Sequence, residues 1–121
     1  MKLFTSYFAN VKNIPSEDFT PISICGKAPD WWKGLQYKKL APKWSFFSVW
    51  KETQDNEYYI DHFHKEVLDE LNIDKVVSDL NNLSNGKPVV LLCYESPEKF
   101  CHRHLVAEWL TQNGYNCEEM Q

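Results

Sequence analysis

The stretch Pro88–Tyr94, PVVLLCY, limits what this chain can fold into more than any other. It has no polar interruption, so it does not suit a strand with one face in water. A run of this kind belongs to a strand buried on both faces, the usual situation in a parallel sheet with helices on either side. The flanking patterns agree. KLFTSYF (2–8) alternates loosely in β-forming residues, and PISICGK (21–27) is a short β-branched run closed by Gly26; both read as strands. Residues 56–71 place Ile60, Phe63, Val67, Leu68 and Leu71 at helical spacing, with Asn56 to cap them. Residues 74–83 predict a second helix, capped by Asp74 and stopped by Asn85-Gly86. Ser96 as cap and Pro97 at the first helical position open a last helix that runs to about Asn113 and stops at Gly114. YNCEEM (115–120) reads as a short final strand, NIPSEDF (13–19) as a connector, and 28–44 as a long loop with short helical turns, since it holds two prolines and one glycine and keeps no period. The expected fold is α/β: a small three-layer domain with a mainly parallel sheet flanked by helices, one domain over 1–121.

Composition narrows the class. With 43% hydrophobic and 25% charged residues the chain is globular, not disordered. No apolar run approaches the roughly 18 residues of a membrane span, and MKLFTSYFANVKN lacks the apolar core of a signal peptide, so no membrane is expected and a cytoplasmic location is. There the four cysteines, 25, 93, 101 and 117, are expected as reduced thiols. The net charge of −4 is unevenly spread: six lysines (27, 33, 38, 39, 43, 51) stand against Asp30 alone in residues 27–51, interleaved with Trp31, Trp32, Tyr37, Trp44, Phe46, Phe47 and Trp50.

Chemistry concentrates after the apolar run. The lone arginine, Arg103, follows Cys101 and His102 directly, and Glu95 sits two residues after Cys93. At about 100° per residue, Leu105, Val106, Trp109 and Leu110 define the buried face of the last helix. His102 falls within that face, Cys101 on its edge, Arg103 to one side, and His104 on the other side, away from the core. In an open α/β sheet the carboxyl ends of strands are where ligands bind. A helix start favours anions, and a guanidinium adds a fork for carboxylate or phosphate. The same field favours a Cys101 thiolate, and Glu95 can orient His102 or move a proton. The residues predicted to carry chemistry are therefore Glu95, Cys101 and His102. Against this stand plain readings of each: Cys93 and Cys101 as small core residues, His102 as a sheet-edge hydrogen bond, and Arg103 as the partner of an acidic side chain such as Glu95.

The stretch LLCYESPEKFCHRHLVAEWL resembles the carboxyl-terminal signature of the bacterial family catalogued as domain of unknown function 488. Its members carry a hydrophobic strand, then Cys-x-Glu, a short gap, and Cys-His-Arg opening a helix, matched here by Cys93, Glu95, Cys101, His102 and Arg103. KLFTSYFAN and PISICGKAPDW are similar to one branch of that family. Many members carry Asp-Val-Arg near an early strand; this chain has CGKAPDWW there, which makes Lys27 or Asp30 the replacement. The resemblance implies an α/β fold and places the site without naming a reaction.

Two functions follow as expectations. The first is a site for a small anionic ligand, nucleotide-like ligands included, at the turn between the third strand and the last helix. There Arg103, Cys93, Lys27, Asp30 and Trp31 bind it; whether it is catalytic is left open. The second is a non-catalytic module in which the basic aromatic segment 27–51 contacts nucleic acid or protein. A purely structural role for the Cys-His-Arg cluster is a third reading. No cofactor is expected. No metal is expected either: Cys93, Cys101, His102 and His104 do not have the spacing of a structural zinc module, and the two histidines diverge on the helix. Cys-x-x-Cys is absent, and Cys101 and Arg103 are too close for a phosphatase loop.

Overall fold

The computed structural model describes residues 1–95 and 99–120. The sheet has five parallel strands: β1 (Leu3–Tyr7), β2 (Thr20–Ser23), β3 (Leu35–Gln36), β4 (Val89–Cys93) and β5 (Cys117–Glu119), in the spatial order β3-β2-β4-β1-β5. Four α-helices accompany it: α1 (Trp44–Thr53), α2 (Asn56–Glu66), α3 (Ile73–Ser84) and α4 (His102–Gln112). The apolar run becomes β4, the central strand, paired with β1 in the register Leu3↔Val89 and with β2 in the register Thr20↔Val89. All five residues of β4 are buried, as a strand covered on both faces must be.

Strand order decides which face each connection covers. Crossovers between parallel strands are right-handed. The links β1–β2 and β2–β3 run one way along the sheet, whereas β3–β4 and β4–β5 run the other way, so the two pairs of links lie on opposite faces. The cores agree. Leu3, Ile22, Val89 and Leu91 pack with Phe46, Phe63, Leu80, Val106 and Leu110 of the four helices. Val90 and Leu92 pack instead with Phe8, Ile14 and the half-buried Phe19 and Trp32. The second layer is thus a 3-10 segment, Phe8–Asn13, with its connecting loops, not an α-helix.

Several boundaries differ from the sequence reading. Asp55 and Asn72, not Asn56 and Asp74, cap α2 and α3; their side chains accept from the backbone N–H of Tyr58 and Lys75. Asn85 takes the left-handed conformation that ends α3, with Gly86 following at φ +83°. The helix α1 occupies a stretch, 45–53, to which the sequence reading assigns no element, and it begins at Trp44, the last residue of the expected loop. The last helix starts at His102, with Cys101 at the cap position, and Lys99 and Phe100 are not helical. The expected cap Ser96 and first-turn Pro97 lie outside the described residues. No helix among the described residues is long and apolar enough to cross a membrane.

Candidate functional site

The links leaving the adjacent strands β2 and β4 depart in opposite directions to opposite faces. A crevice opens at their carboxyl ends for that reason, the position where open α/β sheets hold ligands. A cleft of about 540 Å³ lies there. Its walls are Cys25, Gly26 and Lys27 after β2; Cys93, Tyr94 and Glu95 at the end of β4; Trp44, Phe47, Trp50 and Lys51 of α1; and Phe100, Cys101 and His102 at the start of α4. Tyr94 donates from its hydroxyl to the Lys27 carbonyl and ties the two strand ends together. Trp44 is 69% exposed and stacks on Phe47 at 6.1 Å, with the Lys51 ammonium 5.9 Å from both rings.

His102 forms the floor. It is buried, packed 5.7 Å from the ring of Phe63, and its Nε2 lies 2.7 Å from the Ile24 carbonyl oxygen. A carbonyl only accepts, so Nε2 carries the proton and Nδ1 keeps its lone pair. That lone pair faces Cys93 Sγ at 3.3 Å. Burial pulls the imidazole down to about 4, so the ring is neutral at physiological pH. Cys93 and Cys101 are joined as a disulfide, which corrects the expectation of four reduced thiols. The physical reason is proximity: the end of β4 and the start of α4 meet, so residues eight apart in sequence come together. Cys25 and Cys117 are free and buried.

Arg103 lies elsewhere. Its side chain is 0% exposed and does not line the cleft, although it follows His102 directly. One helical step of 100° turns it under β5. Nε and Nη2 donate to the two carboxylate oxygens of Glu119 at 3.1 and 3.0 Å, and Nη1 donates to the Glu95 carbonyl at 2.6 Å. The guanidinium also sits 5.7 Å from the Tyr7 ring, and Thr5 donates to Glu119 Oε1 at 2.6 Å. The expected solvent-facing anion clamp is therefore corrected: the fork is taken up by Glu119, a partner the sequence reading did not single out. Glu95 contributes its carbonyl to that knot and also lines the cleft.

The remaining expected site residues divide. Lys27 lines the cleft, but Asp30 and Trp31 do not. Trp31 packs edge-on against Phe8 and Trp32 on the opposite side of the sheet. The cleft's aromatic wall comes instead from Trp44, Phe47 and Trp50, whose spacing on α1 is one turn. His104 is half-buried and diverges from His102, and its Nε2 has no partner among the described residues.

A family model described as "DUF488-N3a: Active DUF488-N3 subclade" matches residues 10–114. The chain belongs to the DUF488 family. No curated protein and no solved structure matches it. In this DUF488 protein the two halves of the Cys-x-Glu and Cys-His-Arg signature meet around one point in space, but they do not make one constellation. Cys93, Cys101 and His102 face the cleft, while Arg103 looks the other way.

Proposed function

We propose that the cleft binds a small anionic ligand with a flat portion, as nucleotides have, and that Cys93, Cys101 and His102 carry chemistry on it. The observation behind this reading is the composition of the cleft at the point where strand order reverses. An aromatic wall on α1 suits a planar group, and base–aromatic stacking is worth about 1–3 kcal/mol. Lys27 and Lys51 line the cleft and supply positive charge. His102 presents an unprotonated ring nitrogen at the floor, the form a general base needs. Lys27 and Lys51 thus take the role that the sequence alone assigns to Arg103. That the matching subclade is described as active supports an enzymatic reading.

The nucleic-acid reading draws less support. Lys39 and Lys43 stand 3.8 and 3.6 Å from Asp79 and Glu70, so the basic segment carries less free positive charge than its sequence suggests.

Thermal unfolding against a panel of nucleotides, sugar phosphates and inorganic phosphate tests the proposal. Ligand at a hundredfold excess over Kd stabilises the folded state by about 2.7 kcal/mol. At least one organic phosphate is expected to raise the melting temperature of the wild type, with a smaller rise in K27A/K51A. No shift with any compound, or equal shifts in wild type and variant, overturns the reading.

A further inference from the structure

The floor of the cleft holds more than a disulfide. One ligand atom from each of Cys93, Cys101 and His102 lies within 4.8 Å of the other two, and all three residues are buried. We infer that the reduced protein binds one zinc ion, or a similar soft divalent ion, through Cys93 Sγ, Cys101 Sγ and His102 Nδ1. The disulfide is then the metal-free, oxidised form of the same site.

Four observations support this. The first is the imidazole's orientation. A metal-binding histidine almost always donates its other ring N–H to a carbonyl or carboxylate, which fixes the tautomer. His102 does this toward the Ile24 carbonyl and turns Nδ1 to the sulfurs. The second is spacing. On a tetrahedral zinc with Zn–S near 2.3 Å and Zn–N near 2.0 Å, ligand atoms stand roughly 3.5–3.8 Å apart. Nδ1 is already 3.3 Å from Cys93 Sγ. The third is backbone span. The cysteine Cα atoms are 7.0 Å apart, whereas disulfides usually span about 4.4–6.8 Å. That separation leaves room for two sulfurs to part onto a shared ion. The fourth is the open corner. All three residues line the cleft, and Cys25, on the same wall, turns its thiol toward the Leu92 carbonyl instead. Three protein ligands with a fourth position facing a cleft is the arrangement of catalytic zinc, where bound water becomes a nucleophile.

The spacing along the chain hides this set because it does not resemble a structural zinc module. Dropping His104, which diverges, leaves a three-ligand set. The chemistry balances with a thiol reductant. Two thiols reduce the Cys93–Cys101 bond and leave as their own disulfide, giving two cysteine thiols. Zinc then displaces two protons as both sulfurs bind it as thiolates.

The site uses the three residues to which the proposed function assigns chemistry, with His102 Nδ1 then holding the ion instead of acting as a base, but the two readings can fail separately: one is read by metal uptake, the other by stabilisation with phosphates. The full chain is reduced with a phosphine, freed of reductant under argon, and titrated with cobalt(II), then zinc. Expected is a thiolate-to-cobalt charge-transfer band that saturates at one equivalent and is removed by zinc. Protein oxidised with diamide is expected to show no band until it is reduced again. C93S and C101S are expected to lose the band, and H102N to bind at least tenfold more weakly. H104A and the double variant C25S/C117S are expected to keep it. Reduced wild type, folded by circular dichroism, that takes up no cobalt overturns the inference whatever the variants do. So does equal uptake by oxidised and reduced protein, or a band that needs Cys25 or Cys117.

Discussion

His102 and Arg103 are neighbours in sequence, both are buried, and they belong to different machines. The imidazole sits under an open cleft with a lone pair turned to two sulfurs. The guanidinium sits in a closed knot, its donors taken by Glu119 and the Glu95 carbonyl. Burying a charge is costly unless it is paired, and this charge is paired on two edges. Burying a neutral ring that keeps one nitrogen unprotonated leaves reactivity in place. The difference teaches that a run of conspicuous polar residues at a helix start need not act as one unit. One helical step of 100° separates the floor of an open cleft from a closed ion pair.

The largest expected effect comes from breaking that ion pair. R103A leaves the Glu119 carboxylate without its cation and is expected to cost about 3–5 kcal/mol, a fall in melting temperature of roughly 10 °C or more. Cleft ligands should still stabilise the variant by the wild-type increment. A stable R103A that no longer responds to ligand would reverse the comparison. Next, H102L removes the donor to the Ile24 carbonyl and is expected to cost about 1–3 kcal/mol in denaturant unfolding, with loss of any turnover. Turnover that survives in H102L would move the chemistry away from the cleft floor. Third, W44A changes an exposed side chain and is expected to alter stability by no more than about 0.5 kcal/mol. It should weaken binding of a planar ligand by about 1–3 kcal/mol in calorimetry. Unchanged affinity would remove Trp44 from the binding wall.

The smallest effect concerns the two free cysteines. Burial pushes the Cys25 thiol up to about 11 and the Cys117 thiol up to about 12, from an ordinary 9.0. Both should resist alkylation at pH 8 in the folded protein and react once it is unfolded. The unfolded thiols ionise first as pH rises past 9, so their contribution to stability is intact below that pH and declines through 11 and 12. Rapid native-state labelling would show these positions to be open instead.

The central strand and the cleft at its carboxyl end are legible in the sequence because both rest on local patterns: an apolar run with no break, and a polar cluster at its end. Other features are not. The α1 stretch WSFFSVWKET spreads its four rings over roughly half the helix, wider than one core-facing stripe; Phe46 goes to the core while Phe47 and Trp50 line the cleft. The caps are displaced because capping residue types stand beside one another, Asp55 with Asn56 and Asn72 near Asp74. Arg103 reads as solvent-facing because what covers it is a three-residue strand, too short to register as a lid. The pairing of Cys93 with Cys101 depends on how closely β4 and α4 approach, which compartment-level reasoning about thiols does not address.

Both borders of the sheet are stubs. β3 has two residues and β5 three, whereas β1, β2 and β4 have four or five and lie between them. An intruding chain that tried to extend the ladder at either margin would find little strand to grip. Such short margins give the protein's buried, apolar middle little edge from which to template fibrils or strand-swapped pairs.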